Sequence, residues 1–417
     1  MSFIDELNAG DKHGLFKSDD TYVTYSTGIL PLDYANGFWQ EAIGPNGEPI
    51  LVPVTGVTGG TVITIIGFTG TGKTTFGLQM GYNIIKPFKN STMHVIDTEK
   101  TANRQRLSRI TQSIYEDPRL ILKKENTSIE DVLKMFDRVC EIKEDGGKTY
   151  MYQVPGHDGK PVWVYIPTVF MIDSLPNFNS AEFNTEDLGS NTDGMRGAKD
   201  VTRFFTNVLD RAWKYNVTFI VINHIRPKTE MNQYAPMPRG LMMLGPSEQL
   251  PRGAVAQYYS NTFFRINMVK SSAYTVEDNG FKGYKATIQL AKSKTNQVGT
   301  SFHVAYLGED GFDSWYTIYE FAADNGLIKG KNPYLYIDGL EALKFNRKDF
   351  RTLIATNEQF RNAVLWRLKP FLEQLLGTPS VKSEQSDTPV FEYGGISKLP
   401  DTIDGNPYIK QEEPVSE

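Results

Sequence analysis

Cysteine is almost missing from this chain of 417 residues: the single Cys140 excludes an internal disulfide and any metal site built from several thiolates. Redox chemistry is therefore not expected, and Cys140, within the predicted helix 129–142, reads as a packing residue. No run of eighteen apolar residues occurs, and the opening MSFIDELNAGDKHG lacks both a basic start and an apolar core. Neither a membrane span nor a secretory leader is expected, which predicts a cytoplasmic protein with no membrane partner. A strong excess of one charge is missing too, since 44 Lys and Arg face 49 Asp and Glu for a net charge of −5. Residues 381–417 hold three lysines against eight acids, which accounts for that whole −5. The rest of the chain is close to neutral, so a locally basic channel is compatible with the acidic total. With 40% hydrophobic and 22% charged residues the chain has an ordinary globular composition, and its length permits two or three domains.

What is present is concentrated in 61–75, TVITIIGFTGTGKTT. Six β-branched residues read as a strand buried on both faces, and Gly67-x4-Gly72-Lys73-Thr74 follows at once. That is a P-loop in a strand-to-helix setting. Its glycines let backbone N–H groups of Gly67, Phe68, Thr69, Gly70, Thr71, Gly72, Lys73, Thr74 and Thr75 converge on phosphate oxygens, at the positive end of the following helix. Lys73 is placed to reach the β- and γ-phosphates of a nucleotide and the Thr74 hydroxyl to bind Mg²⁺. A helix over 75–85 and a buried strand over 92–96 complete a βαβ unit and hence a parallel sheet.

The strand over 92–96 ends in Asp97-Thr98-Glu99-Lys100. Ligands of open α/β sheets sit at the carboxyl ends of strands, so Glu99 is a candidate base for a water attacking the γ-phosphate, or else an exposed loop acid. Residues 101–147 read as helical, with Val132, Leu133, Met135, Phe136 and Val139 as a core stripe. Turn chemistry predicts hairpins at Gly44-Pro45-Asn46-Gly47 and at Gly156-His157-Asp158-Gly159, where His157 reads as a solvated turn residue. The next apolar strand ends in Asp173, the Walker B pattern, with Asp173 helping to hold Mg²⁺ through water. A polar loop follows, then a helix over 198–215 and a strand over 217–222 ending in Asn223-His224. That pair reads as a γ-phosphate sensor or as a capped strand end. Residues 226–253 have no regular period and read as a long loop. From 226 to 294 ten Lys or Arg face four acids, with Tyr and Met interleaved, which suits a single-stranded nucleic acid track or simply a solvated face. The candidate DNA contacts are Arg196, Arg226, Lys228, Arg239 and Arg252. The chain is β-rich from 255, residues 330–378 read as a small helical appendage (helices 347–356 and 358–376), and 379–417 as a disordered tail. Before the core, 1–25 is a possible subunit-contact element with Phe3, Ile4 and Leu7 at helical spacing, and 26–60 reads as turn, strand and loop.

From about Tyr25 to Leu376 the order of these parts resembles the RecA superfamily, and within it the UvsX-type recombinases of tailed phages. STGILPLDYA is similar to the segment before the RecA P-loop, IDTEK to its IDAEH, INHIRPK to its INQIR, and LPRGAVAQYYSNTFFRI to the segment closing its second DNA-binding loop. LAKSKT resembles a stretch whose two lysines reach the neighbouring subunit's ATP, which nominates Lys292 and Lys294. The resemblance implies Glu99 as the catalytic carboxylate and His224 as the γ-phosphate sensor. It implies an α/β fold with a RecA-like P-loop ATPase core over 26–329, a mostly parallel central sheet and a C-terminal β-rich extension. It further implies a DNA-dependent ATPase that uses ATP and Mg²⁺, forms filaments of itself on single-stranded DNA, pairs homologous double-stranded DNA, and works with single-strand-binding and loader proteins in the host-cell cytoplasm. The two hairpins have no counterpart in that family, and Arg106 stands where RecA has an adenine-stacking tyrosine. A hexameric RecA-fold motor and an ATP-switched scaffold without strand exchange are the competing readings.

Overall fold

Four stretches, 62–66, 93–96, 168–172 and 217–222, are almost wholly β-branched, aliphatic or aromatic, and strands of that kind are stable only when covered on both faces. In the computed structural model they form the centre of a ten-stranded mixed sheet. The structure describes residues 23–44, 47–100, 102–113, 117–124, 127–156, 160–181, 193–227, 244–245, 247–252, 257–269, 275–278, 281–296 and 298–377, with the backbone alone at 193–196, 275–278, 281–282 and 309. The strands are β1 Val62–Gly67, β2 Met93–Asp97, β3 Leu120–Lys123, β4 Thr168–Asp173, β5 Val217–His224, β6 Thr262–Met268, β7 Thr275–Asp278, β8 Phe281–Ser293, β9 Ser301–Tyr306 and β10 Phe312–Asp313. Nine follow the path β10-β9-β8-β6-β1-β5-β4-β2-β3, and β7 pairs with β8 beside it. Strands β1 to β6 run parallel and β7 to β10 are added antiparallel. The protein is thus an α/β fold whose large sheet is mostly parallel, with antiparallel strands and helices toward its C-terminus.

Helices cover both faces: α1 Leu30–Ala35, α2 Lys73–Ile85, α3 Arg104–Thr111, α4 Ile129–Gly146, α5 Asp193–Lys214, α6 Ser314–Asp324, α7 Phe350–Thr356 and α8 Glu358–Glu373. Alternate strand residues divide between two cores, as the strand period of two requires. Ile63, Ile65, Met171, Ile220 and Ile222 pack with Phe76 and Leu78 of α2. Val62, Ile66, Phe170, Ile172 and Phe219 pack with Val132 and Phe136 of α4 and Phe204 and Phe205 of α5. Each such buried side chain contributes about 1.5–3 kcal/mol relative to exposure. Cys140 lies in the second core, as its helical position predicts. Phe345, Phe350 and Phe360 of the C-terminal part join the first core, and Trp39 Nε1 donates to the Gly377 carbonyl at 3.1 Å.

Both expected hairpins form, Phe38–Ile43 with Pro49–Val54 and Met151–Pro155 with Pro161–Tyr165. Several expectations need correction. The stretch 101–147 is not all helical, because Leu120–Lys123 pairs with β2 as the edge strand β3. Residues 30–35 form a helix where an extended segment is expected; Pro31 sits in its first turn, where its missing N–H costs nothing. The fully buried Asp33 carboxylate anchors that helix by accepting from Ser26 Oγ, Thr27 N and Thr27 Oγ1. Helix α5 begins at Asp193 rather than 198, and the C-terminal appendage includes a β-hairpin, Ile328–Lys331 with Tyr334–Ile337, as well as helices. His157, the N-terminal element and the acidic tail lie outside the described residues. No described helix is long and apolar enough to cross a membrane.

Candidate functional site

Parallel strands carry their loops at the same end, so the carboxyl ends of β1, β5, β4 and β2 form one edge. Register sets Gly67 beside His224 and Asp173 beside Asp97 along it. Between Gly67 and Lys73 the chain turns through Gly70 at φ 80° and Gly72 at φ 86°, a region that side chains with a Cβ rarely occupy. A Cβ on Gly72 would also lie 3.0 Å from the Phe312 ring, so a side chain there would be crowded against β10 as well as strained. Phe68, Thr69 and Gly70 are exposed at the loop crest, whereas Thr71, Lys73 and Thr75 are buried. Helix α2 starts at Lys73, so its unpaired N–H groups and positive end face the loop. Lys73 Nζ donates to the Phe68 carbonyl at 2.7 Å, folding the ammonium back under the crest.

Thr74 Oγ1 donates to Asp173 Oδ2 at 2.6 Å. Asp173 Oδ1 and Asp97 Oδ1 are buried with no hydrogen-bond partner among the described residues. Two uncompensated carboxylate oxygens beside a threonine hydroxyl fit a hydrated divalent cation, the oxygen-rich environment Mg²⁺ prefers. Among the described residues no three His, Cys, Asp or Glu side chains surround a metal by themselves, so such an ion would need oxygens from a ligand. Burial raises Asp173 to about 6, with Glu99 and Asp97 adding to the rise and Thr74 and Lys73 opposing it. Burial lowers Lys73 to about 8 against the pull of Asp173 and Glu99.

Glu99 follows β2 in a turn that Asp97 holds, its Oδ2 accepting from Ala102 N at 2.7 Å. Thr98 ties this turn to β4, with its N–H donating to the Asp173 carbonyl at 2.7 Å and its hydroxyl accepting from Ser174 N at 2.9 Å. Glu99 Oε1 then receives two donors, Ser174 Oγ at 2.9 Å and His224 Nε2 at 2.9 Å. Burial first, and Lys73 second, lower the His224 pKa, so the imidazole is neutral at pH 7 and the Nε2–H tautomer is the one that can donate to a carboxylate. The Asn223 side chain accepts from His224 N at 2.8 Å and donates to the Pro251 carbonyl at 3.0 Å. Asp97 and Ser174 are participants that sequence reasoning misses; each is a polar residue at a strand end, and only the register shows what it touches.

The site thus gathers the P-loop, Thr74, Asp173, Glu99 and His224. Lys292 and Lys294 are elsewhere. Phe263 pairs with both Thr64 and Lys292, so Lys292 is level with the middle of β1; Lys294 N donates to the Asn261 carbonyl and Asn261 N to the Val62 carbonyl, so Lys294 is level with the start of β1, away from the P-loop end. Lys292 Nζ donates to the Gln257 carbonyl, and Lys294 is exposed. Arg226 is exposed just beyond His224, and its backbone pairs with Gln249. Arg252 is half-buried, and its guanidinium is bonded to groups of 175–179 within the chain. Arg196 lies on α5 with its side chain outside the described residues, as are Lys228 and Arg239 altogether. No protein-family model matches this chain, and a search of curated proteins returns no match.

Proposed function

We propose that this chain is an ATP-dependent DNA strand-exchange recombinase with a RecA-like P-loop ATPase core, of the UvsX type, which forms helical filaments on single-stranded DNA and pairs it with homologous duplex. One observation carries the catalytic half of the reading: Glu99 is held by Ser174 and His224 on the same sheet edge as Lys73 and the Thr74–Asp173 pair. In this reading the P-loop amides and Lys73 bind the phosphates of ATP, where preorganised donors stabilise charge that grows on the γ-phosphoryl group. Thr74, with Asp173 behind it, would hold Mg²⁺, which supplies neutralisation of the phosphate charge when bound. Glu99 orients and deprotonates the attacking water. Neutral His224 donates to Glu99 at rest and is free to turn its Nε2–H toward a γ-phosphate, so that hydrolysis changes its partner.

The DNA half is supported by the basic content of 226–294 and by the order of motifs. The self-assembly half is supported by Lys292 and Lys294, which are level with the middle and the start of β1 rather than with the P-loop at its end. The reading is tested by phosphate release with and without single-stranded DNA, for the parent and Glu99→Gln. The parent is expected to be stimulated by DNA, and the variant to bind ATP while hydrolysing it ~10²–10⁴-fold more slowly. Hydrolysis indifferent to DNA, or a variant as fast as the parent, contradicts it.

A further inference from the structure

Trp163 and Trp213 are 42% and 44% exposed, and both line one cleft of about 210 Å³. Single exposed apolar residues are ordinary, but two tryptophans on one mostly apolar cleft mark an interaction surface. The cleft lies between the hairpin of Met151–Pro155 with Pro161–Tyr165 and the end of α5. Strand alternation and register put Met151, Trp163 and Tyr165 on one face of that hairpin. Asn216, also in the lining, immediately precedes β5, so the cleft opens at the amino end of the parallel strands, opposite the Glu99–His224 edge.

The walls are fixed in place. The Tyr25 and Tyr152 hydroxyls are 3.0 Å apart, Tyr152 packs on Phe88 with ring centroids 4.7 Å apart, and Asn216 Nδ2 donates to the Tyr165 carbonyl at 2.7 Å. A preformed surface of this kind gives up little entropy when it is covered. Asn216 is buried, yet its Oδ1 has no hydrogen-bond partner among the described residues, and a Cβ on Gly59 of the lining would lie 2.5 Å from that oxygen. A buried acceptor is normally paired, and an N–H of an occupant would pair this one.

Charge selects the occupant. Among the described residues that line the cleft, Lys214 alone is charged, and the exposed Lys148 places Nζ 5.1 Å from the centroid of the Trp163 ring. Glu144 accepts from Lys214 at 3.2 Å, so Lys148 is the cation placed to meet an anion. A nucleobase would need the face of Trp163 that Lys148 covers, and two lysines do not make the basic track that a nucleic acid backbone follows. We infer that this cleft docks a short acidic segment of another protein, with an aromatic or aliphatic side chain seated between Trp163 and Trp213 and a carboxylate against Lys148. The inference does not depend on the proposed ATPase.

The test is a selection from a random peptide library on the full-length parent, followed by titration of the enriched peptide against the parent, Trp163→Ser and Lys148→Glu. The parent is expected to enrich peptides in which Asp or Glu flanks Trp, Phe or Leu. Trp163→Ser should weaken binding of the enriched peptide about tenfold or more, as loss of a central aromatic anchor does. Lys148→Glu should weaken it as well and, when the selection is repeated on that variant, should enrich basic peptides instead. Both substituted side chains are exposed, so the melting temperatures of the variants should match that of the parent. The inference is overturned if the parent enriches no class of peptide, as when residues 1–22 of the same chain or a second copy fill the cleft. It is equally overturned if basic or uncharged peptides dominate on the parent, or if Trp163→Ser binds the enriched peptide as the parent does. An oligo-dT strand that binds the parent and loses about tenfold in Trp163→Ser would assign the cleft to nucleic acid and overturn it too.

Discussion

Single side chains in this protein are tuned by what burial does to their charge. His94, in β2, is buried against Phe170 with ring centroids 4.5 Å apart and planes 4° from parallel. Nε2 pairs with Thr92 Oγ1, and Nδ1 is buried with no partner among the described residues. Burial, with Lys123 and Lys143 adding to it, lowers His94 from 6.5 to about 4. The unfolded chain takes up this proton near pH 6.5 and the folded chain only near 4, so stability falls as pH drops through that window and levels off below it. At ~1.4 kcal/mol per pH unit the loss approaches ~3 kcal/mol. His94→Phe keeps the ring stack and removes the proton. Denaturant unfolding at pH 7 and pH 4.5 is expected to show a smaller acid loss in the variant; an equal loss in both proteins would clear His94 of that role.

At the scale of elements, helix α4 shows how local chemistry sets a boundary. Ser128 Oγ accepts from Asp131 N at 3.2 Å and Asp131 Oδ2 accepts from Ser128 N at 3.1 Å, a reciprocal cap that satisfies two otherwise orphaned donors. Ser128→Ala is expected to cost about 1 kcal/mol, a fall in melting temperature of about 2 °C, with ATP turnover unchanged. A silent substitution would mean that tertiary packing, including Lys143 Nζ on the Ile166 and Tyr215 carbonyls, fixes the helix without its cap.

Elements whose chemistry is local are legible in the sequence: the P-loop strand and turn, the apolar strand ending in Asp173, and both hairpins with their Gly-centred turns. Strand β3 is not, because three apolar residues between Arg119 and Lys123 show neither period and gain their conformation from pairing with β2. Helix α1 is hidden by Pro31, which reads as a breaker unless its first-turn position is known. In the candidate site, Lys73, Thr74, Glu99, Asp173 and His224 are legible because each ends or follows a strand. Asp97 and Ser174 are not, since register sets Asp97 beside Asp173 and Ser174 meets Glu99 across 75 residues of chain.

For the whole molecule the decisive feature is the separation of Lys292 and Lys294 from the P-loop of their own chain. In the filament reading they act on a neighbour. The double variant Lys292→Ala/Lys294→Ala is expected to bind ATP as monomer like the parent and to lose most DNA-stimulated hydrolysis. Equal loss of ATP binding by monomer and assembly would place the lysines in the fold instead.

The central claim, that ATP and single-stranded DNA together assemble this chain into a filament, is met most directly by negative-stain electron microscopy of the full-length protein with both, with either alone, and with neither. Continuous helical filaments that require both ligands are the result this account predicts. Closed rings, or discrete particles under all four conditions, would contradict it.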